Sequence, residues 1–271
     1  MTPPGRRAIR WGAALGAAFA LAATLAGAAD PALEPAVGPG GTPAVPPFGA
    51  GESMTFDLKW GFVSGGTAVL AIPKVVMERG FLCYHIVSVA ESNSFISVFF
   101  PVRDVAESFL DVRELVTRRF EKRLREGDYR AHDLVLFDHD RHVAYYPDKH
   151  RAVPISLDAQ DVLSSLYFVR MMDLDVGKSV YIENHADKKN YPLEIKVLRR
   201  ERVSVPAGRF DCLVVEPIMR SSGIFRHEGT LQVWLTDDEV HLPVLMRSKV
   251  FIGSISAELT EYRLSDNSKR R

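Results

Sequence analysis

The sequence predicts a mostly β protein: a single domain made of a highly curved antiparallel sheet or partly closed barrel, with one main α-helix. Three observations carry this. Residues 203–263 hold four short runs of alternating or apolar, β-prone residues separated by turn clusters, the pattern of an antiparallel meander. Residues 51–91 open the domain with three further runs of the same kind. Only one long segment, Asp158–Met172, carries a broad apolar stripe at helical spacing. A strongly curved sheet with one apolar face either fills its concavity with side chains or encloses a ligand.

In chain order, residues 1–28 read as a secretory signal. Arg6, Arg7 and Arg10 form a basic start, Trp11 to Leu25 is apolar, and Ala26-Gly27-Ala28 offers a small-x-small cleavage pattern. A retained N-terminal anchor is the alternative. The Arg6–Arg7 pair invites a twin-arginine reading but lacks the usual flanking residues, so a Sec-type signal to the periplasm is preferred. No membrane span is expected after cleavage. Residues 29–50, rich in Pro, Gly and Ala, are expected to be a flexible linker. The β-rich domain is placed at 51–263 and a polar tail at 264–271.

Met54, Phe56, Leu58 and Trp60 share one face of a first strand. Ser64-Gly65-Gly66 is expected to turn, Thr67–Lys74 to return, and Phe81–Glu91 to form a third strand, apolar on both faces. Ser92–Phe100 suits one or two helical turns between a Ser/Asn start and Pro101. Its Phe95, Phe99 and Phe100 either plug one end of the core or form a lip that touches lipid or a partner. Val102–Val116 and Thr117–Arg125 are densely charged strands, Glu126-Gly127-Asp128 a hairpin turn, and Ala131–Phe137 and His142–Tyr146 the next strands. The charge is read as a wet sheet face laced with ion pairs; alternatively Arg103, Arg119 or Lys122 meets an anionic head group in a polar groove.

Asp158 is expected to cap the helix, with Asp161 in its first turn favoured by the helix dipole. Ser179–His185 and Tyr191–Arg200 form a hairpin around Ala186–Asn190, and Pro206-Ala207-Gly208 turns into the last meander. There Phe210–Val215 is apolar on both faces and is placed centrally. Thr230–Thr236, Val244–Phe251 and Ser254–Tyr262 alternate, with Trp234 on the wetter face, where a helix or loop should cover part of it.

The chemistry is sparse. Lys plus Arg and Asp plus Glu each number 34, and a chain so balanced has no electrostatic reason to bind nucleic acid or an anionic membrane surface. No G-x-S-x-G, H-E-x-x-H, Walker or Rossmann pattern occurs. No catalytic residue, metal or cofactor is therefore expected. Asp138-His139-Asp140-Arg141-His142 alternates metal-ligating types, but it falls at a turn with Arg141 in its middle. Asp237-Asp238-Glu239 also reads as a turn. Glu107 and Glu121 are the acids a hydrolase would need, and nothing in their spacing requires them to meet. Cys83 and Cys212 sit in apolar β-like runs. They are either buried thiols or one bridge from an early strand to a late one, which export would permit.

The segments SMTFDLKWGFVSGGTAVL, FPVRDVAESFLD, RRFEKRLREGDY, DVLSSLYFVR, VPAGRFDCLVVEP and LQVWLTDDEVHLPVLMRSK resemble, in order from about Gly51 to Tyr262, a family of exported bacterial β-domains known as domain of unknown function 3108. The resemblance implies a Gram-negative envelope protein with a curved antiparallel fold. It lends no catalytic residues. It puts His139 and His142 in an ordinary turn, and it includes Cys212 but not evidently Cys83. The expectation is a non-catalytic periplasmic protein that binds a lipid or other amphipathic molecule in its curved sheet, with Phe95, Phe99, Trp234 and Phe251 as surplus large apolar groups. The alternative is a structural or partner-binding module of envelope assembly with a filled core.

Overall fold

In the computed structural model, residues 45–219, 231–249 and 253–269 are described. The signal at 1–28, most of the 29–50 linker, Thr230 and Phe251 lie outside them. The strands are β1 (Glu52–Trp60), β2 (Val63–Glu78), β3 (Phe81–Ser92), β4 (Arg103–Asp111), β5 (Thr117–Glu126), β6 (Tyr129–Asp138) and β7 (Val143–Tyr146). They continue as β8 (Arg151–Pro154), β9 (Ser179–Ala186), β10 (Lys189–Val205), β11 (Gly208–Met219), β12 (Leu231–Thr236), β13 (Pro243–Lys249) and β14 (Ser254–Arg263). Short helices α1 (Ser94–Ser97) and α3 (Asp266–Lys269) flank the main helix α2 (Val162–Val169).

All fourteen strands form one antiparallel sheet in the order β8-β7-β6-β5-β4-β3-β2-β1-β14-β13-β12-β11-β10-β9. Every neighbour is consecutive in sequence except β1 and β14, the first and last strands, which pair in the middle. The sheet is curved and open rather than a closed barrel. Bulges bend it, one of them where β2 shifts register between Ala71 and Lys74. Pro73 lies inside that shift and has no N–H to give the ladder.

The two edges roll past each other. On β9, Asn184 Nδ2 donates to Ser165 Oγ of α2 at 2.8 Å, whereas the next residue, His185, contacts Phe137 and Tyr146 of β6 and β7. Successive strand residues point to opposite faces, so β9 is covered on both sides. A single parallel bridge, Gln160 with Asn184, ties the connection after β8 to the β9 edge.

The helix is shorter than its sequence suggests. Asp161, not Asp158, is the cap: its carboxylate accepts from Leu163 N and Ser164 N, and Ser164 Oγ accepts from Asp161 N, a reciprocal capping box. Residues before Asp161 cannot be helical because Gln160 pairs with β9. The Ser64-Gly65-Gly66 turn is also displaced. These residues lie in β2, and the chain reverses at Gly61-Phe62. A Cβ on Gly66 would fall 2.2 Å from Glu91 O, so glycine here serves close strand approach. Likewise β11 is third from an edge, not central. Trp234 is 2 % exposed rather than on a wetter face, with the Arg247 guanidinium 5.4 Å from its ring.

The concavity is largely filled. Met54, Phe56, Leu58, Leu70, Ile72, Tyr84 and Ile86 line the sheet beneath Leu163, Tyr167 and Val169 of α2. Phe48, expected in the linker, is fully buried and meets Tyr84 and Tyr167 edge-on at 5.7 and 5.0 Å. Arg170, at the end of α2, grips Glu52 through two bonds of 2.7 and 3.0 Å. The polar tail packs back here: Ser268 Oγ donates to Pro47 O and Asn267 Nδ2 to Phe48 O. These contacts seal the end of the sheet where β1 begins.

Candidate functional site

The opposite end, where β1 passes into β2, keeps a cavity of about 150 Å³. Side-chain size produces it. On β3 the inward face runs Tyr84, Ile86, Ser88, Ala90, shrinking towards this end. Strand register carries Ser88 beside Ala106, Ala106 beside Lys122, and Lys122 beside Asp133, one row across four strands. Small residues on β3 and β4 leave the space. Phe120, Val135 and Val162 give it an apolar floor, and Asp104, Asp133, Asp187, Lys122, Lys149 and Lys188 add charge.

The hairpin tip between β9 and β10 closes over it. Asp187 and Lys188 both have positive φ, 48° and 65°, as a two-residue hairpin turn requires. Lys188 N–H donates to Tyr146 Oη at 2.9 Å. Tyr146 donates to His185 Nε2 at 2.8 Å, and His185 Nδ1–H donates to Asn190 Oδ1 at 2.7 Å. Burial pulls the His185 pKa down while the Asn190 bond pulls it up, burial being the larger effect.

The carboxylates in the lining are unevenly matched. Asp133 pairs with Lys149 at 2.5 Å, and that bond leads the rise in the lysine's pKa. Burial raises the pKa of Asp187 despite nearby Lys122. Asp104 is raised first by burial, although Arg125 N–H donates to its Oδ1 at 3.0 Å. Its Oδ2 is buried, and the Glu126 side chain also hydrogen-bonds this carboxyl and works with Lys122 against the effect of burial.

Of the residues singled out by sequence, Lys122 lines this cavity. Arg119 does not: it lies three residues away, hence on the other face, over the Phe109 ring and paired with Glu78 and Glu121. Arg103 pairs with Glu91 at 3.1 Å. Trp234 is core. Phe95 and Phe99 plug nothing; they stand exposed, edge to face at 6.0 Å. Glu107 and Glu121 do meet, directly opposite on β4 and β5. Arg123 clamps both, at 3.0 Å to Glu107 and 2.7 Å to Glu121, neutralising a pair that would otherwise repel.

Both nitrogens of His139 face backbone carbonyls, Leu157 O at 2.8 Å and Thr117 O at 2.7 Å, so neither is directed at a space where a metal could sit. No cluster of three or more metal-ligating side chains occurs among the described residues. The disulfide alternative is overturned. Cys83 and Cys212 are free buried thiols, on β3 and β11 with five strands between them. Ser88, Ala90, Asp104 and His185 were missed by sequence reasoning, and the shrinking side chains along β3 were the available signal.

No helix among the described residues is long and apolar enough to cross a membrane. The family described as "Protein of unknown function (DUF3108)" matches residues 55–260. No curated protein matches the chain. Among solved structures, a β-barrel-like protein of domain of unknown function DUF1849 from Brucella abortus is similar at 9 % identity and TM-score 0.53, covering 79 % of this chain and 98 % of that one. A DUF1089 family protein from Pseudomonas aeruginosa aligns at 13 % identity and TM-score 0.37, over 68 % of this chain and 90 % of its own. The first likeness supports the β-barrel-like fold and nothing further.

Proposed function

This chain belongs to the DUF3108 family of proteins of unknown function, and from that premise we propose that it is a non-catalytic bacterial envelope protein that holds one end of an amphipathic small molecule in the mouth of its curved sheet. The observation that carries this is the cavity, whose apolar floor of Phe120, Val135 and Val162 is rimmed by charged side chains, Lys122 and Lys188 among them. Export to the periplasm follows the signal read in residues 1–28.

The size sets a limit. A cavity of about 150 Å³ has room for a benzene-sized group, whereas pockets that swallow a whole ligand run to about 300–1,000 Å³. The ligand is therefore gripped by a ring or the end of a chain, with its remainder outside. The reading of the sheet as a hollow for an entire lipid gives way to this smaller one, since Phe48 and Tyr167 occupy the rest. Its non-catalytic character is supported by the pairing of Glu107 and Glu121 through Arg123, which leaves neither poised as acid or base.

Native mass spectrometry of protein isolated from periplasm tests this. A bound mass removable by organic extraction is expected, and its occupancy should fall in Ala106→Leu, which fills the space. Protein that is empty as isolated, and that binds no fluorescent amphiphile, would overturn the proposal.

A further inference from the structure

We infer that the end of the sheet around the cavity mouth is a docking face for a phospholipid bilayer. Three segments meet there. Trp60, Phe62 and Val63 form the β1–β2 turn; Phe95, Val98 and Phe99 lie on and after α1; Tyr129 begins β6. Phe62 is fully exposed, and Phe95 and Phe99 are 67 % and 76 % exposed. Several large apolar groups displayed together mark an interaction site rather than ordinary surface.

The display is held rigidly. Asn93 caps α1 by accepting from Ile96 N at 2.9 Å. Its own N–H and side-chain amide donate to Gly65 O and Ser64 O, fixing α1 to the start of β2. Gly127 N–H donates to Pro101 O at 2.8 Å, and a Cβ on Gly127 would sit 2.8 Å from the Phe100 ring. The phenylalanines thus project from a braced frame and lose little freedom on binding.

Charge points to the occupant. On the convex face beside these aromatics, Arg125 lies directly opposite Arg130. The Arg103 Cα lies next in the same row, set by the pairing of Val105 with Arg123. Like charges facing each other across strands destabilise a sheet. Glu91 pairs with Arg103, Arg130 Nη1 donates to Gly127 O and Tyr129 O, Glu126 ends β5 and Asp128 lies in the turn. A row of arginines behind exposed aromatics fits lipid phosphates above an acyl layer, the placement such side chains take at membrane interfaces. A protein partner would need a matching pocket for each separate, convex aromatic tip; acyl chains close around any shape. Docking would turn the cavity mouth towards the membrane, but the inference does not depend on the cavity being occupied.

Co-sedimentation of the purified protein with vesicles of phosphatidylethanolamine and phosphatidylglycerol tests it. The wild-type protein should bind. Phe62→Ser and the Phe95→Ser/Phe99→Ser pair should each weaken partitioning by about tenfold or more. Arg125→Glu/Arg130→Glu should weaken binding most on phosphatidylglycerol-rich vesicles. Met77→Ser, an exposed apolar residue at the other end of the sheet, should change nothing. Circular dichroism establishes that each variant is folded. Wild-type protein that stays in the supernatant, or phenylalanine variants that bind as well as wild type, would overturn the inference. So would site-specific crosslinking at position 62 or 99 that captures one protein and no lipid.

Discussion

Replacing Glu52 by alanine should be among the most damaging single changes in the molecule. Arg170 and Glu52 are 1 % and 0 % exposed. The guanidinium gives two bonds to the carboxylate and single bonds to Pro47 O and Val240 O, and lies near the Phe48 and Tyr167 rings. Glu52→Ala leaves a buried cation with its two carbonyl bonds and no counter-charge. Breaking such a pair from one side costs about 3–5 kcal/mol. For a domain of this size, each kcal/mol lowers the melting temperature by about 2–4 °C, so a drop on the order of 10 °C is expected in a thermal melt. Converting both partners to apolar residues of similar volume, Glu52→Leu with Arg170→Met, should recover most of the loss. Asp211→Ala, which breaks an exposed pair with Arg202, should leave the transition in place. A Glu52→Ala protein melting with wild type, or a double variant worse than the single, would refute the reasoning.

Burial depresses the folded-state pKa of His185, so the unfolded chain binds the proton more readily. Stability should then decline as pH falls below the unfolded value near ~6.5. The decline ends below the lowered folded value. The difference between wild-type and His185→Asn melting curves across pH 7 to 5 isolates this, and parallel curves would contradict it. Asp161→Ala removes four bonds at once, from Ser108 Oγ, Thr117 Oγ1, Leu163 N and Ser164 N. It should cost at least about 2 kcal/mol by denaturant titration, cap and orphaned donors together, with Asp161→Asn milder; an unchanged midpoint would count against the cap. Burial pushes both Cys83 and Cys212 thiols up to about 12, so neither should react with a thiol reagent at pH 8 in the folded protein. Both should react after denaturation without reductant, and none reacting then would mean the two are bridged.

Sequence was most informative where one rule dominated. Period-two alternation located Met54, Phe56 and Leu58 of β1 and the strands of the last meander correctly, because a half-buried strand leaves little freedom in which residue faces in. It failed where long-range contacts decide. Phe48 looks like linker because its partners, Tyr84 and Tyr167, are distant in sequence. Residues before Asp161 look helical, but their backbone is spent on β9. Trp234 sits on the polar-patterned side of its strand and is buried nonetheless, since which sheet faces are covered is set by the roll of the whole sheet. At the site, Lys122 was legible as charge, and strict alternation would already have separated it from Arg119. The cavity itself was not, because empty space arises from small residues brought into one row by register, which a single strand does not disclose.

The meeting of the first and last strands in the middle of the sheet has a bearing on how the chain comes to be folded. Trp60 pairs with Ile255, so the seam joining the two meanders cannot form until the chain has been made as far as β14. A contact of such sequence separation closes late and slowly. During that interval the eight-strand half waits with an unpaired β1 edge, a template for pairing with another copy. Delivery from the N-terminus thus makes the arrival of β14 the step that ends vulnerability to aggregation, and a truncation that removes it would strike the centre of the sheet rather than its rim.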